Sequence, residues 1–512
     1  MARVTFVYPG FESLGIEYLS SYLRSHGHET RLVFDPQLFQ DDYSRAGKAI
    51  ATADNARLRS ILIDEVLASD PDIVGFSVVT DQYLWALQFA AQLKEKRPGL
   101  PIIFGGIHPT SVPELVIRQP QVDIVCVGDG EDAFLELVNS FEEYRRKKQL
   151  IIPNLWFKAD GEVYSNPVRD LRADLDSLPF PDKAMFYEQL PAFRLQYNLL
   201  TGRGCAFHCS YCCNNFLKKL YHEKGKYLRQ RSVKNVIDEL VLAKEKYDIP
   251  FVFIRDEVFG YNLEWLKNFA DEYSRKIKIP FKCFIEPSLC REEIVRELKR
   301  AGCIYVSMGI QSTNEYSRKT ILFRPESNQQ IARSMAMFHK AGIKVNIDHI
   351  AGIPGEGEKE MVEAAWFYNR IRPNVVTYFW LTLYPNTEMV DIFKQKGLAS
   401  DEEITRVMEG RGASDFQGGN VTMNRETFFQ FRTLLCYLPL LPSFIITLIL
   451  KLKLYRFMAW RSIFLSSLLP RLLLAPFNAD LQAWRAEIGY NLGKMKIVKR
   501  KLKEGKTRTP VV

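Results

Sequence analysis

The first 145 residues alternate between strand-like and helix-like patterns of apolar positions. The apolar run "VTFVYPG" ends at Pro9-Gly10, "LGIEYLSSYLRSHG" has apolar residues at helical spacing, and "ETRLVF" is strand-like again. β-branched runs recur at 72–79, 101–106 and 123–128, each followed by glycine or polar residues and a helical stretch. This alternation predicts an α/β domain with a doubly wound, Rossmann-like parallel sheet, in which ligands bind at the carboxyl ends of the strands.

A different pattern occupies residues 146–195. Asp160-Gly161 marks a hairpin turn, and the prolines of "DLDSLPFPD" favour extended backbone, so we interpret this segment as a linker with a hairpin. The βα pattern resumes over 196–390 with six strand-like runs, which is fewer than a closed eight-stranded barrel needs. The second domain is therefore predicted to be a partial (β/α)6 TIM-type barrel, again with its site at the carboxyl ends of the strands.

Residues 391–512 are predicted to form a carboxyl-terminal helical domain with a basic tail. The 18 residues from Thr433 to Leu450 carry no charge, although prolines interrupt them near the start, and the stretch from Lys494 to Arg508 contains eight Lys or Arg against one acidic residue. Apolar helices with abundant Lys and Arg favour a membrane-interface location, aided by the basic tail. Two alternatives stay open: helices packed over the barrel mouth without lipid contact, and a true membrane span.

Charge and the opening residues restrict the class of function. The net charge is +9, but the excess lies in the tail and the main body is close to balanced, so we expect no nucleic-acid partner. The opening "MARVTFVYPGFESLG" lacks the basic start and the cleavage site of a secretory signal. We therefore expect a cytoplasmic protein, in peripheral contact with the cytoplasmic membrane face if the carboxyl-terminal helices bind lipid.

Four of the nine cysteines lie in "GCAFHCSYCC", directly after the first predicted barrel strand. Cys205, Cys209 and Cys212 have the spacing C-x3-C-x2-C, so their thiolates can converge on one centre, whereas the adjacent Cys213 is expected to be packed or free. A structural zinc site usually takes four ligands as two separated pairs, and no second C-x2-C pair follows; His208, inside the run, is expected to be exposed. Three thiolates suit a [4Fe-4S] cluster with one iron open to an outside ligand.

With Tyr211 before its last cysteine, the motif resembles that of the radical S-adenosylmethionine (SAM) enzymes. The resemblance implies that the catalytic cysteines Cys205, Cys209 and Cys212 hold a [4Fe-4S] cluster and that SAM chelates the open iron. Reductive cleavage of SAM would then give a 5′-deoxyadenosyl radical, with electrons from a partner such as flavodoxin or ferredoxin. The SAM contacts implied at the strand ends are Tyr211, Asp256, Glu257, Glu286, Ser288, Gln311 and Ser312. Gln311 stands where the family usually has Glu, so an amide replaces the charged contact there.

The first domain resembles the cobalamin-binding domain that precedes the barrel in one branch of that family, which includes the class B methyltransferases. "LGIEYLSSYLRSHGHE", "FGGIHPTSVPEL" and "DIVCVGDGEDAFLEL" are the similar stretches. The family's Asp-x-His-x-x-Gly motif reads Gly-Phe-Glu-Ser-Leu-Gly at 10–15, so we expect cobalamin without a histidine ligand from the protein. The implied contacts are Glu12, Ser13, Leu14, Gly15, Ser77, Val79, Thr80, Gly105, Gly106, His108, Gly128, Gly130 and Glu131. His108 is a poor substitute axial ligand because it is far from that loop in sequence.

These resemblances lead to a functional prediction. The chain is expected to be a cobalamin-dependent radical SAM enzyme that methylates an unactivated carbon of a small, hydrophobic or lipid-like substrate. One alternative keeps the cofactors but closes a ring or oxidises the substrate, as in the anaerobic magnesium-protoporphyrin ester cyclase. Another is a non-enzymatic iron-sulfur or zinc scaffold at a membrane assembly. A tRNA methylthiolating enzyme is disfavoured, because those proteins carry three further amino-terminal cysteines and here Cys126 alone precedes Cys205.

Overall fold

A computed structural model describes residues 1–37, 52–411, 423–462, 465–466, 469–474 and 481–507. The first sheet contains β1 (Arg3–Pro9), β2 (Glu29–Asp35), β3 (Ile73–Ser77), β4 (Ile102–Gly105), β5 (Ile124–Cys126), β6 (Leu155–Ala159) and β7 (Glu162–Ser165). Their order is β2-β1-β3-β4-β5-β6-β7, and the first five strands in that order are parallel. The prediction of a doubly wound sheet is confirmed. The order changes direction at β1 and β3, which places a ligand crevice at their carboxyl ends.

Helices cover both faces of this sheet, as a buried parallel sheet requires. They are α1 (Leu14–Ser25), α2 (Thr52–Ala68), α3 (Tyr83–Lys96), α4 (Ile107–Ser111), α5 (Pro113–Ile117), α6 (Glu131–Asn139) and α7 (Phe141–Lys147). α1 begins directly after the β1 loop because the Ser13 side chain accepts a hydrogen bond from the backbone N–H of Ile16 at 3.4 Å. The loops that begin α1, α4 and α6 therefore meet at the crevice.

The hairpin expected at Asp160-Gly161 connects β6 and β7, and both turn residues have positive φ. β6 pairs antiparallel with β5. Residues 155–165 are thus the edge of the first sheet, so this part of the segment interpreted as a linker belongs structurally to the first domain.

The second domain is a half-open barrel of six parallel strands, which confirms the partial-barrel prediction. The strands are β8 (Tyr197–Leu199), β11 (Val252–Ile254), β12 (Phe281–Ile285), β13 (Cys303–Gln311), β14 (Lys344–Ala351) and β15 (Val375–Trp380); a two-stranded ribbon, β9 (Gly202–Arg203) and β10 (Arg229–Gln230), lies beside them. Each strand of the barrel pairs with the next in sequence. The helices from the linker to the end of the barrel are α8 (Lys183–Tyr187), α9 (Cys213–Leu220), α10 (Val233–Tyr247), α11 (Leu263–Lys276), α12 (Glu292–Ala301), α13 (Glu315–Thr320), α14 (Asn328–Lys340), α15 (Glu358–Ile371) and α16 (Glu388–Gln395).

The two domains share one apolar core rather than meeting through a flexible tether. Phe186 and Phe193, from the segment that precedes β8, pack edge to face on Phe34 of β2, with ring centroids 6.3 and 5.7 Å apart. Buried side chains run without interruption from this cluster into the barrel core. The domains are therefore held in one orientation by packing.

The carboxyl-terminal segment is helical, with α17 (Asp401–Met408), α18 (Arg425–Tyr437), α19 (Ser443–Lys451), α20 (Leu469–Leu474) and α21 (Leu481–Thr507). α18 packs on β15, and α19 packs on α15. α21 packs on α2 of the first domain and on residues 191–195, which precede β8. None of the helices in the described parts of the chain is both long and apolar enough to cross a membrane.

Candidate active site

The three motif cysteines lie on the loop between the β9 strand and α9, and each sulfur accepts a hydrogen bond from nitrogen. The backbone N–H of Phe207 donates to Cys205 Sγ at 3.4 Å, Arg324 Nη1 donates to Cys209 Sγ at 3.5 Å, and Asn214 Nδ2 donates to Cys212 Sγ at 3.7 Å. N–H donors stabilise negative charge on sulfur, and such bonds also tune the potential of thiolate-bound clusters.

Cys213 has a different role from the other three. Its thiol donates to Cys212, which lowers the pKa of Cys212 to about 7, and the pKa of Cys213 itself is raised by the same contact. Burial raises the pKa of Cys205 to about 11. Cys212 is therefore the thiol that most readily becomes a thiolate, with Cys213 as its proton-holding neighbour.

The donor set fits a [4Fe-4S] cluster. In the described ranges, no three His, Cys, Asp or Glu side chains are grouped as ligands of a single metal ion. A [4Fe-4S] cluster needs a different arrangement of ligands, because each thiolate binds a different iron. The three sulfurs share one loop, each has its own N–H donor, and their charges affect one another's pKa. His208, inside the motif, is exposed.

Arg324 connects this loop to the strand ends. This role was not predictable from the sequence, where Arg324 is only part of an Arg-Pro pair between α13 and α14. The guanidinium is buried, donates to the carbonyl of Gly309 at 2.7 Å, and pairs with Glu286 at 3.3 Å and Glu326 at 2.8 Å. Two carboxylates therefore fix a cation against Cys209. That cation would offset part of the negative charge of a reduced cluster held by the three thiolates.

Five other predicted SAM contacts lie at the ends of β12 and β13 and on the cysteine loop. Glu286 accepts the backbone N–H of Ser288 at 2.7 Å and its hydroxyl, and burial raises the pKa of Glu286 to about 7. The hydroxyl of Ser312 contacts Glu356, which is buried. Glu356 ends the stretch "IAGIPGE" but was not among the predicted SAM contacts. Gln311 has φ of 65° and pairs with His349 of β14, directly after a register shift that leaves Ile310 out of the ladder. Tyr211 is half-buried in an apolar cluster next to the cysteines.

Asp256 and Glu257 point in different directions at the end of β11. Asp256 is buried and accepts the backbone N–H of Thr201 at 2.6 Å together with the Thr201 hydroxyl; burial raises the pKa of this carboxyl to about 6. Asp256 therefore holds the start of the cysteine loop through its hydrogen bonds with Thr201. Glu257 is exposed to the cavity between the domains.

That cavity has a volume of about 390 Å³ and is bounded by both domains. Its first wall includes seven of the predicted cobalamin contacts, which are Gly15, Ser77, Gly105, Gly106, Gly128, Gly130 and Glu131. The facing wall comes from the barrel and includes Arg203, Cys213, Asn214 and Glu257. Phe6, Phe76 and Phe134 form apolar parts of the lining, and eight lining residues are glycines.

The chemistry of the cavity lining suits cobalamin. Glycines at strand ends allow the backbone to approach a large cofactor, and a crevice at the point where strand order reverses is where open α/β sheets bind nucleotides. The apolar lining suits the nucleotide tail and the ring edges of such a molecule. The cavity also borders Cys213 and Asn214, the residues that directly follow Cys212, so it adjoins the cysteine loop.

Six predicted cobalamin contacts do not line this cavity, namely Glu12, Ser13, Leu14, Val79, Thr80 and His108. Glu12, at the position of the family's histidine, is buried in an ion pair with Lys183 at 2.6 Å and accepts from Asn198 at 2.7 Å. His108 is fully buried 4.1 Å from the Tyr83 ring, and burial lowers its pKa to about 4. Neither side chain is directed at the cavity, because each is held by buried neighbours.

Polar contacts also connect the two cavity walls, and of the residues that make them only Glu131 was among the predicted contacts. Arg203 pairs with Glu131 at 2.6 Å, and Arg229 pairs with Asp129 at 3.1 Å. The Tyr221 hydroxyl accepts the backbone N–H of Asp129 at 2.7 Å. The helix after the cysteine loop is therefore joined to the glycine loop of the first domain.

Comparisons with known proteins agree with this geometry. The radical SAM superfamily matches residues 199–367, and the B12 binding domain matches residues 4–138. An uncharacterised methyltransferase of Pyrococcus horikoshii is 27% identical over 392 residues, covering 73% of this chain and 77% of the relative. The anaerobic magnesium-protoporphyrin IX monomethyl ester cyclase of Rubrivivax gelatinosus is 23% identical over 416 residues, covering 77% and 70%.

Among solved structures, the cobalamin-dependent SAM radical enzyme OxsB with aqua-cobalamin bound has a TM-score of 0.65 and 16% identity, covering 98% of this chain and 84% of that one. This likeness shows a shared fold. The radical SAM domain implies a [4Fe-4S] cluster and SAM, and the B12 domain implies cobalamin, which confirms the predicted cofactors. With both domains present in this order and facing one cavity, the chain belongs to the cobalamin-binding-domain-containing radical SAM enzymes.

Proposed function

We propose that this enzyme transfers a methyl group to an unactivated carbon of a small, largely hydrophobic molecule. The observation that carries the proposal is the cavity that lies between the strand ends of the first domain and the residues that follow the cysteine motif. A methyl donor and a radical source that adjoin one chamber can act on the same substrate carbon.

The chain's own residues have distinct tasks in this scheme. Cys205, Cys209 and Cys212 would hold the cluster, and the glycine loops of the first domain would hold cobalamin. When bound, these groups and SAM supply the radical and the methyl group. Arg324 fixes a positive charge at Cys209, and Asp256 holds the start of the loop through Thr201. The apolar walls exclude water from the reacting centre.

An electron donor of the flavodoxin or ferredoxin class completes the proposal, since the cluster needs one electron for each SAM that it cleaves. The Pyrococcus relative supports methyl transfer, because its name describes a methyltransferase. The Rubrivivax relative favours a second candidate, ring formation without net methylation.

The products of SAM separate the two candidates before the substrate is known. The full chain is reconstituted without oxygen with iron, sulfide and cobalamin, then reduced with dithionite and given SAM. Methyl transfer predicts both 5′-deoxyadenosine and S-adenosylhomocysteine. Formation of 5′-deoxyadenosine alone would favour the ring-forming candidate, and formation of neither would contradict the proposal. The Cys205→Ala variant should form no 5′-deoxyadenosine. The control is Cys436→Ala, which changes a buried cysteine outside the motif and should still form it.

A further inference from the structure

The carboxyl-terminal segment exposes large apolar side chains on one side of α19 and the turn after it. The exposed fractions are 73% for Phe444, 51% for Leu448, 60% for Leu452, 81% for Phe457 and 41% for Trp460. Phe444, Leu448 and Leu452 are four residues apart and share one helix face. The opposite face is buried through Ile446 and Leu450, against α15. We call the five exposed side chains the α19 surface.

Exposed cations accompany this surface. Lys451, Lys453 and Arg461 are all exposed, whereas Arg456 is paired with Glu358 at 2.9 Å. Between Glu426 and Asp480 the sequence contains no acidic residue at all. Apart from Glu358, which is paired with Arg456, the charges named next to the apolar side chains are therefore positive.

From this combination we propose that the α19 surface docks on an anionic lipid bilayer. Apolar and aromatic side chains enter the boundary between headgroups and acyl chains, while nearby Lys and Arg bind anionic headgroups. A protein partner fits less well, because the cores of protein interfaces are depleted in lysine. The docking is peripheral, in keeping with helices too short or too polar to span a membrane in the described part of the chain.

The part of the basic tail that the structure describes, up to Thr507, belongs to α21 and is not part of this surface. α21 lies against the first domain, where Lys501 pairs with Glu65 and Lys494 stands 4.5 Å from the Phe11 ring. The tail therefore has contacts within the protein, and the expectation that it aids α19 in binding lipid has no support in this packing. The lipid contact depends on the shorter cluster of cations next to the apolar side chains.

The position of the α19 surface gives it a further role, which rests on the proposed function. Tyr455 and Arg456, at the edge of the surface, both contact Glu358 at the first turn of α15, with distances of 2.7 and 2.9 Å. α15 starts where the chain leaves the carboxyl end of β14, at the same end of the barrel as the site. Docking would thus bring the reactive end of the barrel close to the bilayer, so the substrate class would be hydrophobic molecules dissolved in it.

Vesicle sedimentation tests the docking without any reference to catalysis. The full chain is mixed with vesicles of phosphatidylcholine alone or of phosphatidylcholine and phosphatidylglycerol in equal amounts. We expect sedimentation with the anionic vesicles, weaker at high salt, and little with the neutral ones. Phe444→Ser combined with Phe457→Ser should weaken partition by about tenfold or more. Lys451→Glu combined with Lys453→Glu should abolish the preference for anionic lipid.

Ile151→Ser is the matched control, since Ile151 is 95% exposed and lies outside the α19 surface. It should bind vesicles as the unchanged chain does, and all variants should keep the same melting temperature. Absence of binding to anionic vesicles, or equal binding by every variant, would overturn the proposal. So would light scattering that shows a dimer dissociated by the two Phe substitutions, because the occupant would then be a second copy of the chain. Release of 5′-deoxyadenosine in solution is measured separately, so failure of docking is distinguishable from failure of the proposed function.

Discussion

Lys183 offers a quantitative test of how the two domains are fixed around the cavity. Its side chain is 1% exposed, and its Nζ lies 2.6 Å from Glu12 and 2.8 Å from Glu17. The amine also stands 4.8 Å from the centre of the Tyr197 ring, on the first barrel strand. The two carboxylates raise the pKa of Lys183 despite its burial, and burial raises the pKa of Glu17. One cation therefore holds two buried acids from the first domain.

Lys183→Met would leave both acids in the interior without a cation. Breaking a buried ion pair by removing one partner costs about 3–5 kcal/mol of unfolding free energy. At least one of the two acids must then take up a proton in the folded state, so its folded-state pKa rises above the unfolded value. The folded variant binds more protons than the unfolded chain at neutral pH, and its loss of stability should therefore be smaller at pH 5 than at pH 8.

Urea denaturation followed by tryptophan fluorescence and circular dichroism measures this loss. Lys234→Met is the control, because Lys234 pairs with Asp238 at 2.5 Å with its side chain 85% exposed, and no measurable change is expected there. Adding Glu12→Gln and Glu17→Gln to Lys183→Met should restore most of the stability, since neutral amides need no cation. Equal losses for Lys183→Met and Lys234→Met, or a loss that does not depend on pH, would refute the reasoning.

Three further predictions concern the site. Burial raises the pKa of Glu356 to about 7 from an ordinary 4.5, so the folded state holds the proton of Glu356 more tightly than the unfolded state does. The free energy of unfolding therefore falls as pH rises through that interval. Glu356→Gln should remove about 3 kcal/mol of this fall, measured by denaturation at pH 4.5 and 7.5. Cys213→Ser should retain the brown cluster absorbance after anaerobic reconstitution, whereas Cys205→Ala should lose it, and loss in both would make Cys213 a ligand. Arg324→Met should make the cluster harder to reduce, because it removes the cation beside Cys209, and a redox titration followed by EPR would show a lower potential.

Local patterns were enough to predict the architecture. The β-branched runs and the glycines after them predicted both parallel sheets and part of the first cavity wall, because strand period and turn chemistry are encoded within a few residues. The pairing of β6 with β5 was not predictable in that way. It depends on which sheet edge the hairpin meets in the folded chain.

Side-chain direction at the site was the main feature that sequence position did not reveal. Glu12 and Asp256 occupy motif positions next to strand ends, but each is held by a residue distant in sequence, Lys183 for Glu12 and Thr201 for Asp256. Arg324 contacts Cys209 from 115 positions away. A buried charged group needs a partner, because an unpaired charge is costly in the interior. Sequence position does not show which residue that partner is, since the fold brings the two together.

The most direct test of the account is the EPR spectrum of the anaerobically reconstituted, dithionite-reduced chain, recorded before and after SAM is added. Three thiolate ligands leave one iron of the cluster open, so we predict a reduced [4Fe-4S] signal that changes when SAM binds that iron, and no such signal in Cys205→Ala. A cluster signal that SAM does not alter, or a chain that takes up no iron while binding zinc, would contradict the account.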